Sequence, residues 1–505
     1  MQSKFYPVII WSLVFFFSCY FFIKVHPLYI LDTDDWSFIQ DVRNGRAWPV
    51  WGIWNPTRVF PEIFMPAISW LSVVFIYPFN ADYIESLSIG YGIILSFFLI
   101  LLGIMLAKVF ENCFKLVRFE SLLFSLFFIL FLFYPLYRHS NLYLLRSVNV
   151  TCIFFYTIPA LLCATVVLWL LWKKEKCGDL SFFSQALLII AIYFSLNSNL
   201  FGSIVLFSFS SSIILISLYT EIKQKNCLSF LGLFSSIKNS VQNNKLHIFL
   251  IIAYLIVLIY EANGGRASGY SAGVFELDIK SSFNTFIHSL VKTQQGFHIL
   301  LIANLTGLFI YLYRRKKNKL QALDRLFSEV LVKLVISFII TAIFLVLLCS
   351  KVVAGYFGRT DVALSYFFYI LVFSFCSFIY TYKCIKKHAP AVIGVLPLLI
   401  LLFSSNVVFV GSRYAETSMA QFPVLIGKKI SDDLISQIIS ADNSGKTDIE
   451  ILVPEFIGPT NDNWPLALYG AQRISNALYN HRIISREIIV RFIPDRKINN
   501  KYKID

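Results

Sequence analysis

The sequence lacks the charge that keeps a soluble domain in water. Only 14% of its 505 residues are charged, against 57% hydrophobic residues and 51 phenylalanines. That balance excludes an ordinary soluble domain and indicates a polytopic membrane protein. It also lacks a P-loop, an HExxH pair and any CxxC pair, so an ATPase, a zinc protease or a redox protein has no support. No repeat of fixed period appears, and no low-complexity segment beyond the apolar runs. The nine cysteines all fall in predicted spans or predicted cytoplasmic loops, so disulfides are not expected to hold the outer regions. The first 23 residues carry one basic residue and no small-residue cleavage site, which reads as a retained first span.

What is present is a series of apolar runs at about the 20-residue length that a span needs. Eleven are expected to cross, near 7–23, 88–107, 120–136, 150–172, 184–197, 200–219, 246–260, 297–313, 330–349, 363–382 and 390–410. A twelfth, 63–79, is bracketed and interrupted by Pro61, Pro66 and Pro78. If it does not span, the basic clusters at Lys108–Arg118, Lys173–Lys176, Lys223–Lys245, Arg314–Lys319 and Lys383–Lys387 all share the side of Lys4. The positive-inside bias therefore makes 63–79 re-entrant or interfacial, with the N-terminus cytoplasmic and the C-terminus outside. The same bias accounts for the net charge of +15 as anchoring against anionic lipid, and no nucleic-acid partner is implied.

The expected organisation is an all-α transmembrane domain over 1–411 and a small outer α/β domain over 412–505. Two further outer regions stand out: 24–87, with its interfacial helices, and 261–296, whose Gly- and Ser-rich start "EANGGRASGYSAG" reads as a mobile loop. In the tail, 421–440 and 465–480 have helical patterns, while Asp448–Phe456 and Arg486–Pro494 alternate as strands.

The chemistry-bearing stretch is "ILDTDDWSFIQDVRNGRAWPVWGIWNPTRVFPE", Ile30 to Glu62. Asp32, Asp34 and Asp35 stand where the chain leaves the bilayer. A low-dielectric boundary raises a carboxylate's pKa and strengthens its pull on a cation or polar substrate. One of them could act as a general base towards a sugar hydroxyl, or two could hold a divalent cation against a phosphate. The plain alternative is that they cap the helix that begins here. Trp36, Trp48, Trp51 and Trp54 are dense enough to suggest a surface for sugar rings or lipid, beyond an interfacial belt. Asn55, Arg58 and Glu62 belong to the same stretch. Arginines at outer span ends, Arg138 (beside His139), Arg146, Arg266, Arg359 and Arg413, suit bidentate contact with an anionic headgroup. "GYFGRTD" (Gly355–Asp361) is the most suggestive of these contexts. "DTD" matches the D-x-D of nucleotide-sugar enzymes, but it lies outside, where nucleotide sugars are absent.

Taken together, "DTDDW" and "NPTRVFPE" (Asn55–Glu62) resemble the polytopic GT-C glycosyltransferases, nearest to the bacterial serotype-converting (Gtr-type) O-antigen glucosyltransferases. The resemblance implies a multi-pass protein of the bacterial inner membrane that moves a hexose, glucose above all, from a polyprenyl phosphate to an O-antigen or lipopolysaccharide glycan on the periplasmic face. It implies Asp35, Asp34 or Asp32 as the reacting acid, and Arg58, Arg138, Arg146, Arg266, Arg359 and Arg413 as donor-phosphate ligands. Trp36, Trp48, Trp51, Trp54, Asn55 and Glu62 would contact sugar or acceptor. Membrane lipids are the other partner, and a divalent cation is the one cofactor left open. The chain has no WWD signature and carries Asp-Asp where protein mannosyltransferases carry Asp-Glu, which favours glycan over protein acceptors. An O-antigen or capsule polymerase is the alternative enzyme, and a lipid-linked oligosaccharide flippase the alternative transporter. Neither the paired broken helices nor the internal repeats of transporters are visible.

Overall fold

The computed structural model describes residues 6–40, 58–134, 136, 143–147, 149–173, 181–225, 230–262, 277–293, 295–317, 321–385, 424–456 and 462–504. Among them, seven helices are long and apolar enough to cross a membrane, or eight if the bent pair Phe234–Asn243 and Lys245–Glu261 counts as one span. The chain is therefore an all-α polytopic membrane protein with a small α/β portion. Among the described residues the candidate spans are fewer than the eleven runs expected. The runs at 120–136 and 184–197 form helices of only 15 residues each, Arg118–Leu132 and Phe182–Leu196. At 1.5 Å per residue such helices fall short of a bilayer core of about 30 Å. The run at 390–410 lies outside the described residues. The ambiguous run forms the shorter apolar helix Phe60–Phe75, and the loop expected at 261–296 contains a helix, Ile279–Val291, capped by Asp278.

The chain divides into two compact units. The first comprises 1–100, 147–158 and 408–505; the second comprises 101–146 and 159–407. In the first, the initial span Tyr6–Val25 ends in a π-helical turn, Phe21–Val25, and Lys24 pairs with Glu85. An extended exit segment follows, held where the Leu28 N–H donates to Ser88 Oγ at 3.0 Å. A short helix, Thr33–Ile39, comes next and is called the acid helix below. Two more π-helical turns, Phe60–Phe64 and Ile153–Thr157, meet through Phe64 and Phe154, whose ring centroids lie 6.4 Å apart. All three π-helical turns of the described residues belong to this unit. Such turns are rare and concentrate at functional sites.

The C-terminal part of this unit is the α/β portion. Helix Val424–Asn443 leads into β1 (Asp448–Val453), helix Ala471–Asn480 crosses over, and β2 (Ile489–Pro494) pairs with β1 in parallel. Alternation puts Ile451, Val453, Val490 and Phe492 on the buried side. Two strands alone are marginal, so the helices packed against them supply the missing burial.

In the second unit, spans are joined by buried hydroxyls. Thr341 Oγ1 meets Ser208 Oγ at 2.7 Å, Ser337 Oγ meets Ser212 Oγ at 3.0 Å, and the Tyr369 hydroxyl donates to the Val205 carbonyl at 2.5 Å. An apolar cavity of about 350 Å³ opens among Phe297, Leu301, Phe338, Phe367, Ile370 and Phe373. Asp324 is fully buried in this unit. It accepts from the Gln321 N–H at 2.5 Å and from the Tyr380 hydroxyl, and pairs with Arg314 at 3.4 Å. Breaking a buried pair strands its partner groups, so Asp324→Ala is expected to cost about 3–5 kcal/mol. Tyr380→Phe keeps the ring stack on Phe327 and is expected to cost about 1 kcal/mol. Thermal unfolding of the two variants in detergent measures the difference; equal shifts would mean that Asp324 is not a junction.

Candidate functional site

The acid helix has seven residues, too few to be stable by its own hydrogen bonds. Asp32 starts it. Its Oδ1 accepts from the N–H groups of Asp34 at 2.9 Å and Asp35 at 3.1 Å, which is the capping role. Its Oδ2 accepts from Asn149 Nδ2 at 2.9 Å. Asn149 is itself a cap, since its Oδ1 accepts from the Cys152 N–H at 2.7 Å where the span Val150–Lys173 begins. Asp35 completes the junction. Its Oδ1 accepts from both the backbone N–H and the hydroxyl of Thr151, each at 2.8 Å. Its Oδ2 faces the Leu31 N–H at 3.4 Å.

Two helix N-termini thus share two carboxylates, and each N-terminus carries the positive end of a helix dipole. The dipoles and N–H donors make tolerable two acids that are only 2% and 1% exposed, Asp32 and Asp35 respectively. They do not cancel the cost of burial. Desolvation raises Asp32 from 3.8 to about 6, against the pull of its Asn149 and backbone donors. Asp35 is pushed well above the usual carboxylate range, first by burial and then by the charge of Asp32. Asp34, between them, is exposed. The capping explanation therefore accounts for Asp32, Asp35 is absorbed in the junction, and Asp34 is the acid presented to solvent.

Other expected residues separate in the same way. Trp36 does not line a surface: it is buried and stacks on Tyr83 with centroids 6.2 Å apart and planes 4° apart. A large ring facing inward on a short helix gains more from packing than from water contact. Glu62 is buried and pairs with Arg58 at 3.5 Å, and Arg58 also lies over the Phe155 ring at 5.7 Å. In the second unit, Arg359 Nε and Nη2 engage Asp361 at 3.0 and 2.5 Å. Arg146 is buried there, and its carbonyl accepts from the Thr360 hydroxyl at 2.5 Å. Trp48, Trp51, Trp54, Asn55, Arg138, Arg266 and Arg413 lie outside the described residues. No group of three or more His, Cys, Asp or Glu with metal-holding geometry occurs among the described residues.

The α/β portion supplies residues that sequence reasoning did not single out. The Thr33 N–H and hydroxyl both reach the Pro465 carbonyl, at 3.1 and 3.0 Å, and the Ala467 N–H donates to Thr33 Oγ1 at 3.1 Å. Gly470 lies so close that an added Cβ would stand 2.6 Å from Thr33 Oγ1. Further along the helix, Arg473 bonds Ser37 Oγ and Asn480 bonds the Gln40 carbonyl. His481 Nδ1 meets the Tyr83 hydroxyl at 2.7 Å, and burial lowers His481 to about 4, so its ring is neutral at pH 7. Asn149 and Thr151 were missed as well. Their one local signal is the Asn-x-Thr start of a span, and their partners lie more than 100 residues away.

The fold and this junction define a class: a polytopic membrane protein with an acidic helix clamped just after its first span. No family model and no curated protein sequence matches the chain. Two solved structures are similar to it. One is the archaeal oligosaccharyltransferase AglB from Archaeoglobus fulgidus, in complex with an inhibitory peptide and a dolichol-phosphate. Its TM-score is 0.43 at 12% identity, over 86% of this chain and 58% of that one. The other is the Archaeoglobus fulgidus oligosaccharyltransferase in complex with Zn and sulfate, with TM-score 0.40 at 15% identity, over 84% and 55%. The chain spans a little over half the length of each. Scores below 0.5 do not establish a shared fold.

Two outcomes follow from the junction. In Gly470→Ala the new methyl collides with Thr33, an overpacking expected to cost about 1–3 kcal/mol. Hydrogen exchange should speed up across Thr33–Ile39, and Thr33→Ala in the same chain should restore part of the protection. Unchanged exchange in Gly470→Ala would show that the latch does not hold the helix. The second outcome is a pH dependence. Asp32 binds its proton more tightly folded than unfolded, so its contribution to stability is fully present below pH 3.8 and lost as pH rises through about 6. The thermal midpoint of the parent, relative to Asp32→Asn, should therefore improve as pH falls from 7 to 4. His481, which acts in the opposite direction, is common to both chains and cancels. A difference constant across that range would contradict the assignment.

Proposed function

We propose that the protein is a membrane glycosyltransferase of the bacterial inner membrane. It moves a hexose, glucose above all, from a polyprenyl phosphate to a lipid-linked or growing O-antigen glycan on the outer face. The observation that carries the reading is the acid helix: two of its carboxylates are locked into the junction, and a third, Asp34, is held outward by the same lock. A general base must reach the proton it takes in a fixed geometry. A helix fastened through Asp32 and Asp35, with Asp34 exposed between them, suits that task.

In the proposed step an acceptor hydroxyl oxygen attacks the anomeric carbon while the bond from that carbon to the phosphate oxygen breaks. The electron pair leaves with the phosphate, Asp34 takes the hydroxyl proton, and the anomeric centre inverts. Arg58 is the candidate phosphate ligand in the unit that holds the acid helix. Arg138, Arg146, Arg266 and Arg413 are the remaining candidates, and Arg359 is less suited because Asp361 already engages two of its nitrogens.

Mass analysis of lipopolysaccharide from cells with and without the gene tests this reading. The expected difference is one hexose on the O-antigen repeat; loss of polymer length would favour a polymerase instead. Asp34→Asn should abolish the addition while the protein still inserts. Full addition by Asp34→Asn, Asp35→Asn and the double variant together would refute the role of the acid helix.

A further inference from the structure

We propose that the exposed face of Tyr469, with Arg473, Asp462 and Asp34 around it, is a subsite for one pyranose ring of the acceptor glycan. The identity of the glycan as acceptor rests on the transfer reading above; the subsite itself rests on local geometry.

Tyr469 lies on the single turn Leu468–Gly470 of the α/β portion. The residue after it, Gly470, packs on Thr33, and Arg473 reaches Ser37. Thr33 and Ser37 are one turn apart on the acid helix, and Asp34 directly follows Thr33. The phenol of Tyr469 is held above its ordinary value by partial burial and then by the negative charge of Asp34, with Asp462 adding to it. The turn that carries the ring packs on Thr33, the residue before Asp34. The Arg473 guanidinium covers it at 4.8 Å from the centroid, yet Tyr469 remains 52% exposed. The ring thus combines a neighbouring cation with a large exposed area. Asp462 is fixed nearby, where its Oδ1 accepts from the Trp464 N–H at 3.3 Å and its carbonyl from the Leu468 N–H at 3.3 Å.

A pyranose has an apolar C–H face ringed by hydroxyls. The negative face of an aromatic ring attracts the polarised C–H groups, carboxylates accept from the hydroxyls, and a guanidinium donates to sugar oxygens. A lipid chain on the same surface would have to desolvate three charged groups without giving them hydrogen bonds, which disfavours it. Tyr469 also projects from the segment that clamps the acid helix, so a sugar stacked on it would lie beside Asp34.

Saturation-transfer NMR on the full-length protein in lipid nanodiscs tests the subsite, with a panel of methyl hexopyranosides as probes. At least one glycoside should be saturated by the parent. The signal should fall about fivefold in Tyr469→Ala, the scale of one aromatic stacking contact, and persist in Tyr469→Phe. Because Tyr469 is exposed, the alanine variant is expected to stay folded. No saturation of any glycoside by the parent, or undiminished saturation by Tyr469→Ala, overturns the proposal. The Asp34→Asn variant separates the two readings: glycoside saturation that persists while sugar addition is lost supports both. Saturation that depends on Tyr469, together with full sugar addition by Asp34→Asn, keeps the subsite and removes Asp34 from the reaction.

Discussion

Two helices that begin against each other, each needing acceptors for its first N–H groups, set the constraint on which the site depends. Asp32 and Asp35 on the acid helix and Asn149 on the following span meet that need reciprocally. The buried negative charge is tolerated because both dipoles point at it, and proton affinity rises because water is excluded. The placement of Asp34 depends on this junction, since an acid on a free seven-residue segment would have no fixed direction.

The α/β portion secures the other side of the same helix. A parallel pair of strands requires a crossover, and here the crossover helix Ala471–Asn480 and the turn before it carry Gly470, Arg473 and Asn480 onto Thr33, Ser37 and Gln40. The tail is thus a clamp on the acid helix as well as a small fold of its own. Tyr469 belongs to that clamp, between a turn packed on Thr33 and a helix whose Arg473 reaches Ser37.

Parts of this were legible in the residues. Hydropathy located the long spans, and period-2 alternation located both strands of the tail, because burial on one side leaves a local trace. The aspartate cluster stood out against its apolar surroundings for the same reason. Span counting overreached at 120–136 and 184–197, where apolar character extends into helices of only 15 residues. Arg118–Leu132 is largely buried among its neighbours, and hydropathy registers burial in protein and burial in lipid alike. Trp36 misled in a similar way, since interfacial and packed tryptophans share one composition signal.

The sequence by itself determined that the chain crosses a membrane repeatedly, that an acidic segment follows the first crossing, and that an α/β pattern closes the chain. These are properties of neighbouring residues, carried by periodicity and transfer energy. Only the tertiary structure decided which aspartate caps, which is locked and which faces solvent. That choice is made by Asn149 and Thr151, more than a hundred residues onward, and by Pro465, Ala467 and Gly470, more than four hundred onward. A hydrogen bond depends on distance in space, and no local pattern records which distant N–H will arrive.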